Sequence, residues 1–229
     1  MADLLRPRIP DGLRIYAVGD IHGRADLLAE TFGRIDADRA TYATPRAVEI
    51  YLGDYIDRGP ASREVIDLLI DRAKRQEIVC LKGNHEDIAL QFLNAPQLFS
   101  TWARIGGRET LMSYGLNPVV RRTDEMAALA RAFRGQLPPA HRSFLSALPV
   151  FHACGDFLFV HAGVKPGVPL DRQRGGPAVD PGGVPDVGRP LRKGNRPRPY
   201  PGAGTRVPWQ PDKHRHRRLR HRQAELPVH

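Results

Sequence analysis

The stretch Gly53-Asp54-Tyr55-Ile56-Asp57-Arg58-Gly59 decides the fold, because of what stands on either side of it. Residues 48–52 before it form a strand-like run, and residues 65–70 after it repeat apolar side chains at helical spacing. A strand that ends in glycine and polar residues and then turns into a helix is typical of an α/β fold. Open α/β sheets place their sites at such strand ends. We therefore expect Asp54, Asp57 and Arg58 to lie at the edge of a sheet.

Two further motifs stand at strand ends in the first half of the chain. Gly19-Asp20-Ile21-His22-Gly23 follows strand-like residues 15–18 and precedes a helix expected from Ala25 to about Ile35. Gly83-Asn84-His85-Glu86 follows strand-like residues 78–81 and leads into a helix expected from Glu86 to Leu93. Parallel strands end at the same edge of a sheet, so we expect the three motifs to meet there.

A fourth polar motif, His161-Ala162-Gly163, ends the next part of the chain. Residues 102–147 are mostly helical in pattern, and residues 149–164 are typical of a hairpin, with a turn expected at 153–156 between strand-like residues 150–151 and 157–160. His141 in the helical part and His152 in the hairpin belong to no motif. We expect structural roles for both.

The residue types in the four motifs indicate a metal centre. Carboxylate oxygens together with imidazole nitrogens suit Mn, Fe or Zn, and one carboxylate placed between two ions can bridge them. Two ions about 3.5–4 Å apart would clamp a phosphoryl group and activate a water for in-line attack. The planar guanidinium of Arg58 matches two phosphoryl oxygens. The sequence therefore favours a phosphoester hydrolase.

From about residue 14 to residue 174, the chain resembles the phosphoprotein phosphatase family within the calcineurin-like metallophosphoesterases. The resemblance is greatest to serine/threonine protein phosphatases of the bacterial and phage type. It includes the stretches at 102–107 and 109–115 as well as the four motifs. It implies an α/β fold, a calcineurin-like β-sandwich flanked by helices, and two divalent metal ions, with manganese favoured over iron or zinc.

The resemblance also implies a role for each motif residue. His85 would be the general acid that protonates the leaving oxygen, Asp57 would orient His85, and Arg58 would bind the phosphate. The expected metal ligands are Asp20 and His22 for the first ion, Asp54 as the bridge, and Asn84 and His161 for the second ion. The substrate would be a phosphorylated protein or a small phosphoester.

The last 55 residues differ in composition from the rest of the chain. Residues 175–229 contain ten prolines, eight glycines, 12 Lys+Arg and 4 Asp+Glu, and so account for +8 of the formal charge of +10. Such a stretch has too little apolar surface to offset its ordering entropy, and we expect disorder. The predicted organisation is an N-terminal extension at 1–13, an incomplete metallophosphoesterase domain at 14–174 and this basic tail at 175–229.

Two motifs that the resemblance implies are missing: a later metal-binding histidine in a Val-His-Gly-His-Thr-Pro-like strand, and a phosphate-binding arginine in a Trp-Ile-Arg-like segment. A shifted reading frame would explain their absence. Residues 196–201 can be encoded so that reading one base later gives Val-His-Gly-His-Thr, and residues 178–185 and 212–222 can also encode family-like segments. We therefore interpret the tail as out-of-frame translation with C-terminal strands missing or scrambled, and expect reduced activity. Out-of-frame GC-rich codons produce basic residues without selection for binding, so we do not expect a nucleic-acid partner.

The remaining features set the location and the alternatives. Cys80 in a strand-like run and Cys154 in a turn-like run show no metal or redox spacing, which suits the reducing cytoplasm. No apolar run approaches the length that crosses a bilayer, about 18 residues. The motifs leave open a dinucleoside polyphosphate hydrolase, such as one acting on diadenosine tetraphosphate. They also leave open an inactive, degenerate phosphatase that binds phosphorylated partners or polyanions.

Overall fold

The computed structural model describes residues 7–164 and 167–168, and its first half alternates strands and helices. Strands β1, β2 and β3 pair in parallel in that order, with Val18 opposite Tyr51 and Tyr51 opposite Cys80. Their carboxyl ends therefore lie at one edge of the sheet. The elements are β1 (Leu13–Val18), α1 (Ala25–Thr41), β2 (Arg46–Tyr51), α2 (Ser62–Ala73), β3 (Ile78–Cys80) and α3 (Asn84–Phe92).

The second half is helical until the chain forms a hairpin. The antiparallel strands β4 and β5 pair with Phe151 opposite Val160 and Cys154 opposite Phe157. The backbone N–H of Lys82 donates to the carbonyl of Pro149 at 2.8 Å, which ties the end of β3 to the start of the hairpin. The elements are α4 (Phe99–Arg104), α5 (Gly107–Ser113), α6 (Thr123–Gln136), α7 (Pro139–Ala147), β4 (Phe151–Cys154) and β5 (Phe157–Val160).

The hydrophobic core is built largely from aromatic side chains of these elements. Trp102 packs against Phe92 and Phe133, with ring centroids 5.2 and 5.7 Å apart, and all three side chains are buried. Tyr51, which ends β2, and Tyr55, within the second motif, are fully buried as well. The loop that follows β2 therefore packs directly on the hydrophobic core.

A buried ionic cluster ties α1 and α2 to the middle strand. Glu49 of β2 is fully buried, and both of its carboxylate oxygens accept hydrogen bonds from Arg72 of α2. The same guanidinium makes paired hydrogen bonds to Asp36 of α1 and raises the acidity of that carboxyl, so the pKa of Asp36 is lowered. Because Arg72 joins two carboxylates from different elements, it fixes both helices over the sheet.

The α/β class predicted from the sequence is confirmed, with three differences in detail. Helix α1 extends to Thr41 rather than Ile35, because its polar last turns are held by pairs such as Asp36–Arg72. Helix α3 begins at Asn84 instead of Glu86. Cys154 was predicted to lie in a turn, but it ends β4. A two-residue turn with Gly155 at a φ of 58° closes the hairpin instead.

The predicted boundary between domain and tail, and the tail itself, lie outside the described residues. So do the segments read as shifted in frame, and the 1–13 extension is described only from residue 7. The predicted organisation therefore stays a prediction.

Candidate metal centre and active site

Unusual backbone conformations concentrate at the ends of β1 and β2. In the described part of the chain, all the non-glycine residues with positive φ are residues that the sequence assigned to the site. Left-handed backbone costs about 1–3 kcal/mol for such residues and persists only where the surroundings enforce it. The residues are His22 (φ 46°), Asp54 (φ 55°), Asp57 (φ 73°) and Arg58 (φ 65°).

Glycines bring into contact the first, second and third loops, which follow β1, β2 and β3. A Cβ on Gly59 would collide with the carbonyl oxygen of His22, which joins the first loop to the second. A Cβ on Gly83 would collide with the carboxylate of Asp54, which joins the second loop to the third. The backbones can approach this closely only because glycine has no side chain.

Asp54 lies at the centre of the side chains that the loops bring together. Its Oδ2 atom is 3.3 Å from Nε2 of His161, 3.8 Å from Nε2 of His85 and 3.9 Å from Nε2 of His22. Burial opposes ionisation of Asp54, but the hydrogen bond and charge of His161, followed by the charge of His85, lower its pKa overall. The same contact with Asp54 outweighs the effect of burial on His161 and raises the pKa of that imidazole.

The ligand atoms form two groups that share Asp54. One contains His22, Asp54 and His85, the other contains Asp20, Asp54 and His161, and the ligand atoms within each group lie no more than 4.8 Å apart. The amide oxygen of Asn84 is 3.3 Å from Nε2 of His161, beside the second group. The structure thus brings together all five predicted metal ligands, with Asp54 common to both groups.

The orientation of two imidazoles fits a metal centre. Nδ1 of His22 lies 3.0 Å from the carbonyl of Ile56, and Nδ1 of His161 lies 2.9 Å from the carbonyl of Leu52. A carbonyl oxygen only accepts, so Nδ1 carries the proton in each ring and Nε2 faces the carboxylates. Nε2 of His22 is the sole buried side-chain nitrogen or oxygen in the described part that has no hydrogen-bond partner. A buried lone pair aimed at acidic oxygens suits a divalent cation.

The predicted catalytic residues lie beside these groups. Nδ1 of His85 is 2.6 Å from Oδ2 of Asp57, and both side chains are buried. Nε2 of His85 points to the centre, so this residue, predicted as the general acid, is also within reach of the first group of ligand atoms. Arg58 is exposed, its backbone N–H donates to Gly106 at 3.1 Å, and it forms no ion pair with residues 7–164.

Glu86 has a role that the sequence did not reveal. Its fully buried carboxylate accepts backbone N–H groups of Asp54 and Gly83 at 2.9 Å and of Tyr55 at 2.8 Å. Burial, followed by the charge of Asp54, raises the pKa of Glu86 to about 7, against the effect of these hydrogen bonds. Glu86 therefore fixes the second and third loops to each other. The Gly-Asn-His-Glu motif contained it, but nothing local indicated its distant partners.

Trp102, Thr110 and Ser62 also contact the site without having been assigned to it. All three are fully or almost fully buried around Asp57. Trp102 and Thr110 belong to the stretches at 102–107 and 109–115 noted in the sequence, which gave the only available signal.

The two histidines expected to be structural lie away from the centre. His141 is buried between the hydroxyl of Tyr114, at 2.8 Å, and the carboxylate of Asp67, at 2.7 Å. His152 lies in β4, and burial lowers its pKa. These surroundings support structural roles for both.

A family comparison identifies the class of protein that carries this candidate site. The sequence profile of the calcineurin-like phosphoesterases matches residues 13–222. The chain belongs to the calcineurin-like phosphoesterase family. Its fold is accordingly the α/β metallophosphoesterase fold, and members of this family of phosphoester hydrolases use divalent metal ions. The predicted membership of the calcineurin-like metallophosphoesterases and the predicted α/β fold are confirmed, and the bacterial and phage type stays a prediction.

Three curated relatives illustrate the range of names in the family. The chain is 26% identical to an asymmetrical bis(5'-nucleosyl)-tetraphosphatase of Halalkalibacterium halodurans, over 65% of this chain and 56% of that protein. It is 26% identical to Shewanella-like protein phosphatase 2 of Arabidopsis thaliana, over 71% and 49% of the two chains. It is 38% identical to a PP2A-like serine/threonine-protein phosphatase of Candida albicans, over 31% and 16%. The chain spans about half the length of the first and second of these relatives.

No helix among residues 7–164 combines the length and apolar character that crossing a bilayer requires.

Proposed function

We propose that this chain is a metal-dependent phosphoester hydrolase that acts as a serine/threonine protein phosphatase. The observation that carries the proposal is the position of Asp54, whose Oδ2 lies between the Nε2 atoms of His22, His85 and His161. One carboxylate shared by two groups of ligand atoms is the arrangement that a two-metal site requires. Similarity to two protein phosphatases supports the substrate class.

The proposed ligand sets share Asp54 but assign Asp20 to the ion beside His22, because Oδ2 of Asp20 lies 3.7 Å from Nε2 of that ring. Asp20, His22 and Asp54 would hold the first ion, and Asp54, Asn84 and His161 the second. Mixed oxygen and imidazole donors suit manganese, iron or zinc, and the family resemblance favours manganese. When bound, the ions supply Lewis acidity that polarises the phosphoryl group and lowers the pKa of a water.

The chain's own residues would then orient the substrate and move a proton. The exposed guanidinium of Arg58 can form paired hydrogen bonds to phosphoryl oxygens. The Nδ1–H of His85 donates to Asp57, which directs Nε2 of the same ring toward the leaving oxygen. With Nδ1–H held by Asp57, a proton on Nε2 is the one that His85 would donate to the leaving oxygen as general acid.

A dinucleoside polyphosphate hydrolase is the second candidate, because the tetraphosphatase relative covers about as much of this chain as Shewanella-like protein phosphatase 2 does. The two activities separate in one assay with manganese, in which a phosphoserine peptide and diadenosine tetraphosphate are compared at equal concentration. Faster release of phosphate from the peptide is expected. Faster cleavage of the tetraphosphate would replace the first proposal by the second.

A binding module without activity is the remaining alternative. Bound manganese with hydrolysis of neither substrate would support a degenerate phosphatase that retains phosphorylated partners.

Because Cys80 and Cys154 are both free thiols, we also propose that the protein works in the reducing cytoplasm.

A further inference from the structure

Asp57 is held on all sides by residues from three helices. Its carboxylate oxygen Oδ1 lies 2.5 Å from the hydroxyl of Thr110 in α5, and Oδ2 lies 2.7 Å from Nε1 of Trp102 in α4. Its backbone N–H points to the hydroxyls of Thr110, at 2.8 Å, and Ser62 in α2, at 3.0 Å. These contacts explain how Asp57 keeps its left-handed backbone at a φ of 73°.

The directions of these hydrogen bonds follow from chemistry. A carboxylate only accepts, so the hydroxyl proton of Thr110 must point to Oδ1 of Asp57. Ser62, 3.0 Å from the Thr110 oxygen, then donates its own proton to Thr110. The result is a chain of hydrogen bonds from Ser62 through Thr110 to Asp57, in which each bond polarises the next.

These contacts fix the position of the His85 ring. Trp102 occupies one side of Oδ2, and Nδ1 of His85 lies 2.6 Å from the same oxygen. Asp57, Trp102 and Thr110 are each at most 1% exposed, so water has no access to replace a lost donor. Rotation of the Asp57 carboxylate would move the imidazole with it.

We propose that Trp102 and Thr110 are positioning residues that act on His85 through Asp57. The proposal rests on the proposed function for the role of His85 as general acid. By fixing both oxygens of Asp57, the indole N–H and the Thr110 hydroxyl fix the direction in which His85 presents Nε2 to the leaving group. The helical layer of α4 and α5 thereby takes part in the orientation of the proton donor.

Trp102 could instead serve only as a core side chain, because it packs on Phe92 and Phe133. Trp102→Phe retains an aromatic ring in the core and removes only the N–H donor. Thr110→Val retains the shape of threonine and removes the hydroxyl, whereas Thr110→Ser restores the hydroxyl. Phe133→Leu is the matched control, since it disturbs the same aromatic cluster without touching Asp57.

The decisive readout is NMR of the His85 ring in the full chain labelled with 15N-histidine, assigned by loss of its signals in His85→Gln. We expect Trp102→Phe and Thr110→Val to shift the Nδ1 and Nε2 resonances of His85, and Thr110→Ser and Phe133→Leu to leave them in place. Unchanged His85 resonances in both Trp102→Phe and Thr110→Val, or an equal shift in Phe133→Leu, would overturn the proposal. Because the two test variants alter different helices, failure of one to fold leaves the other to decide.

Kinetics with p-nitrophenyl phosphate and manganese provide the second readout. We expect Thr110→Val to lower kcat about 10-fold with KM unchanged, part of the ~10²–10⁴-fold that a positioned general acid contributes. Thr110→Ser should recover most of the loss. A wild-type chain without metal-dependent hydrolysis would contradict the proposed function alone, since the His85 resonances decide the positioning role without turnover.

Discussion

Oδ2 of Asp54 lies 3.3 Å from Nε2 of His161, although the two residues follow strands of different sheets. Asp54 follows β2 in the parallel sheet, and His161 directly follows β5 in the hairpin. Each residue shifts the pKa of the other, lowering it for Asp54 and raising it for His161. The centre therefore exists only when the hairpin is docked on the sheet.

Close packing of the glycine loops makes the centre sensitive to a single methyl group. We predict that Gly59→Ala lowers manganese affinity at least ~10-fold, the lower end of losses seen when supporting contacts of a metal site are removed. The added Cβ would collide with the carbonyl of His22 and displace that ligand. Isothermal titration with manganese measures the change.

Gly33→Ala is the matched control for this variant. Gly33 lies within α1, and a Cβ there would meet no atom within 4 Å. It should leave metal affinity unchanged and raise the free energy of unfolding by up to about 1 kcal/mol, because alanine favours the helix. Equal metal affinity in Gly59→Ala and wild type would contradict the account of the loop contacts.

The ionic cluster of Glu49, Arg72 and Asp36 should contribute strongly to the free energy of unfolding. We predict that Glu49→Gln lowers it by about 1.5–3 kcal/mol, because Arg72 loses its charged hydrogen bonds to Glu49 but keeps its pair with Asp36. Urea unfolding followed by circular dichroism measures the loss. Glu30→Gln, which removes an exposed pair with Arg34, should cost less than about 0.5 kcal/mol. Similar losses in the two variants would show that the cluster is not effectively buried.

The hairpin should make stability depend on pH through His152. Burial holds the pKa of His152 below its ordinary value in the folded chain, so the unfolded chain takes up a proton first as the pH falls. At a pH above the ordinary histidine pKa, His152 is neutral in both states and does not affect stability. At a lower pH, protonation of the unfolded chain progressively disfavours the folded state. Wild type should therefore lose more stability than His152→Gln between about pH 7.5 and about pH 5.5. Parallel pH profiles of Tm for the two proteins would contradict this.

The reading-frame hypothesis makes a prediction about activity. A version of the gene read one base later from about Gly175 should restore the missing histidine and arginine motifs, and hydrolysis of p-nitrophenyl phosphate should rise by at least ~10–100-fold. Equal manganese-dependent activity in both versions would contradict the expected loss. Sequencing the coding DNA around Arg174 tests the hypothesis without protein, since true codons that give no such motifs in another frame would exclude it.

The strand-end motifs made the centre predictable, whereas its supporting contacts were not. Asp20, Asp54 and Asn84 each follow a strand of one parallel sheet, so their order along the chain already placed them at one edge. Trp102 and Thr110 contact Asp57 from helices that the core holds in place, and no local sequence pattern predicts these contacts. The same holds for Glu86, whose partners Asp54 and Tyr55 lie in another loop. Packing, rather than motif, determines these contacts.

Metal binding to wild type and Asp54→Asn tests whether one carboxylate serves two metal ions. Asp71→Asn is the control, because Asp71 is an exposed carboxylate paired with Lys74. With Asp54 shared by both ligand groups, titration with manganese should give two bound ions per chain in wild type and Asp71→Asn, and loss of both in Asp54→Asn. Two ions bound by Asp54→Asn with wild-type affinity would contradict the account.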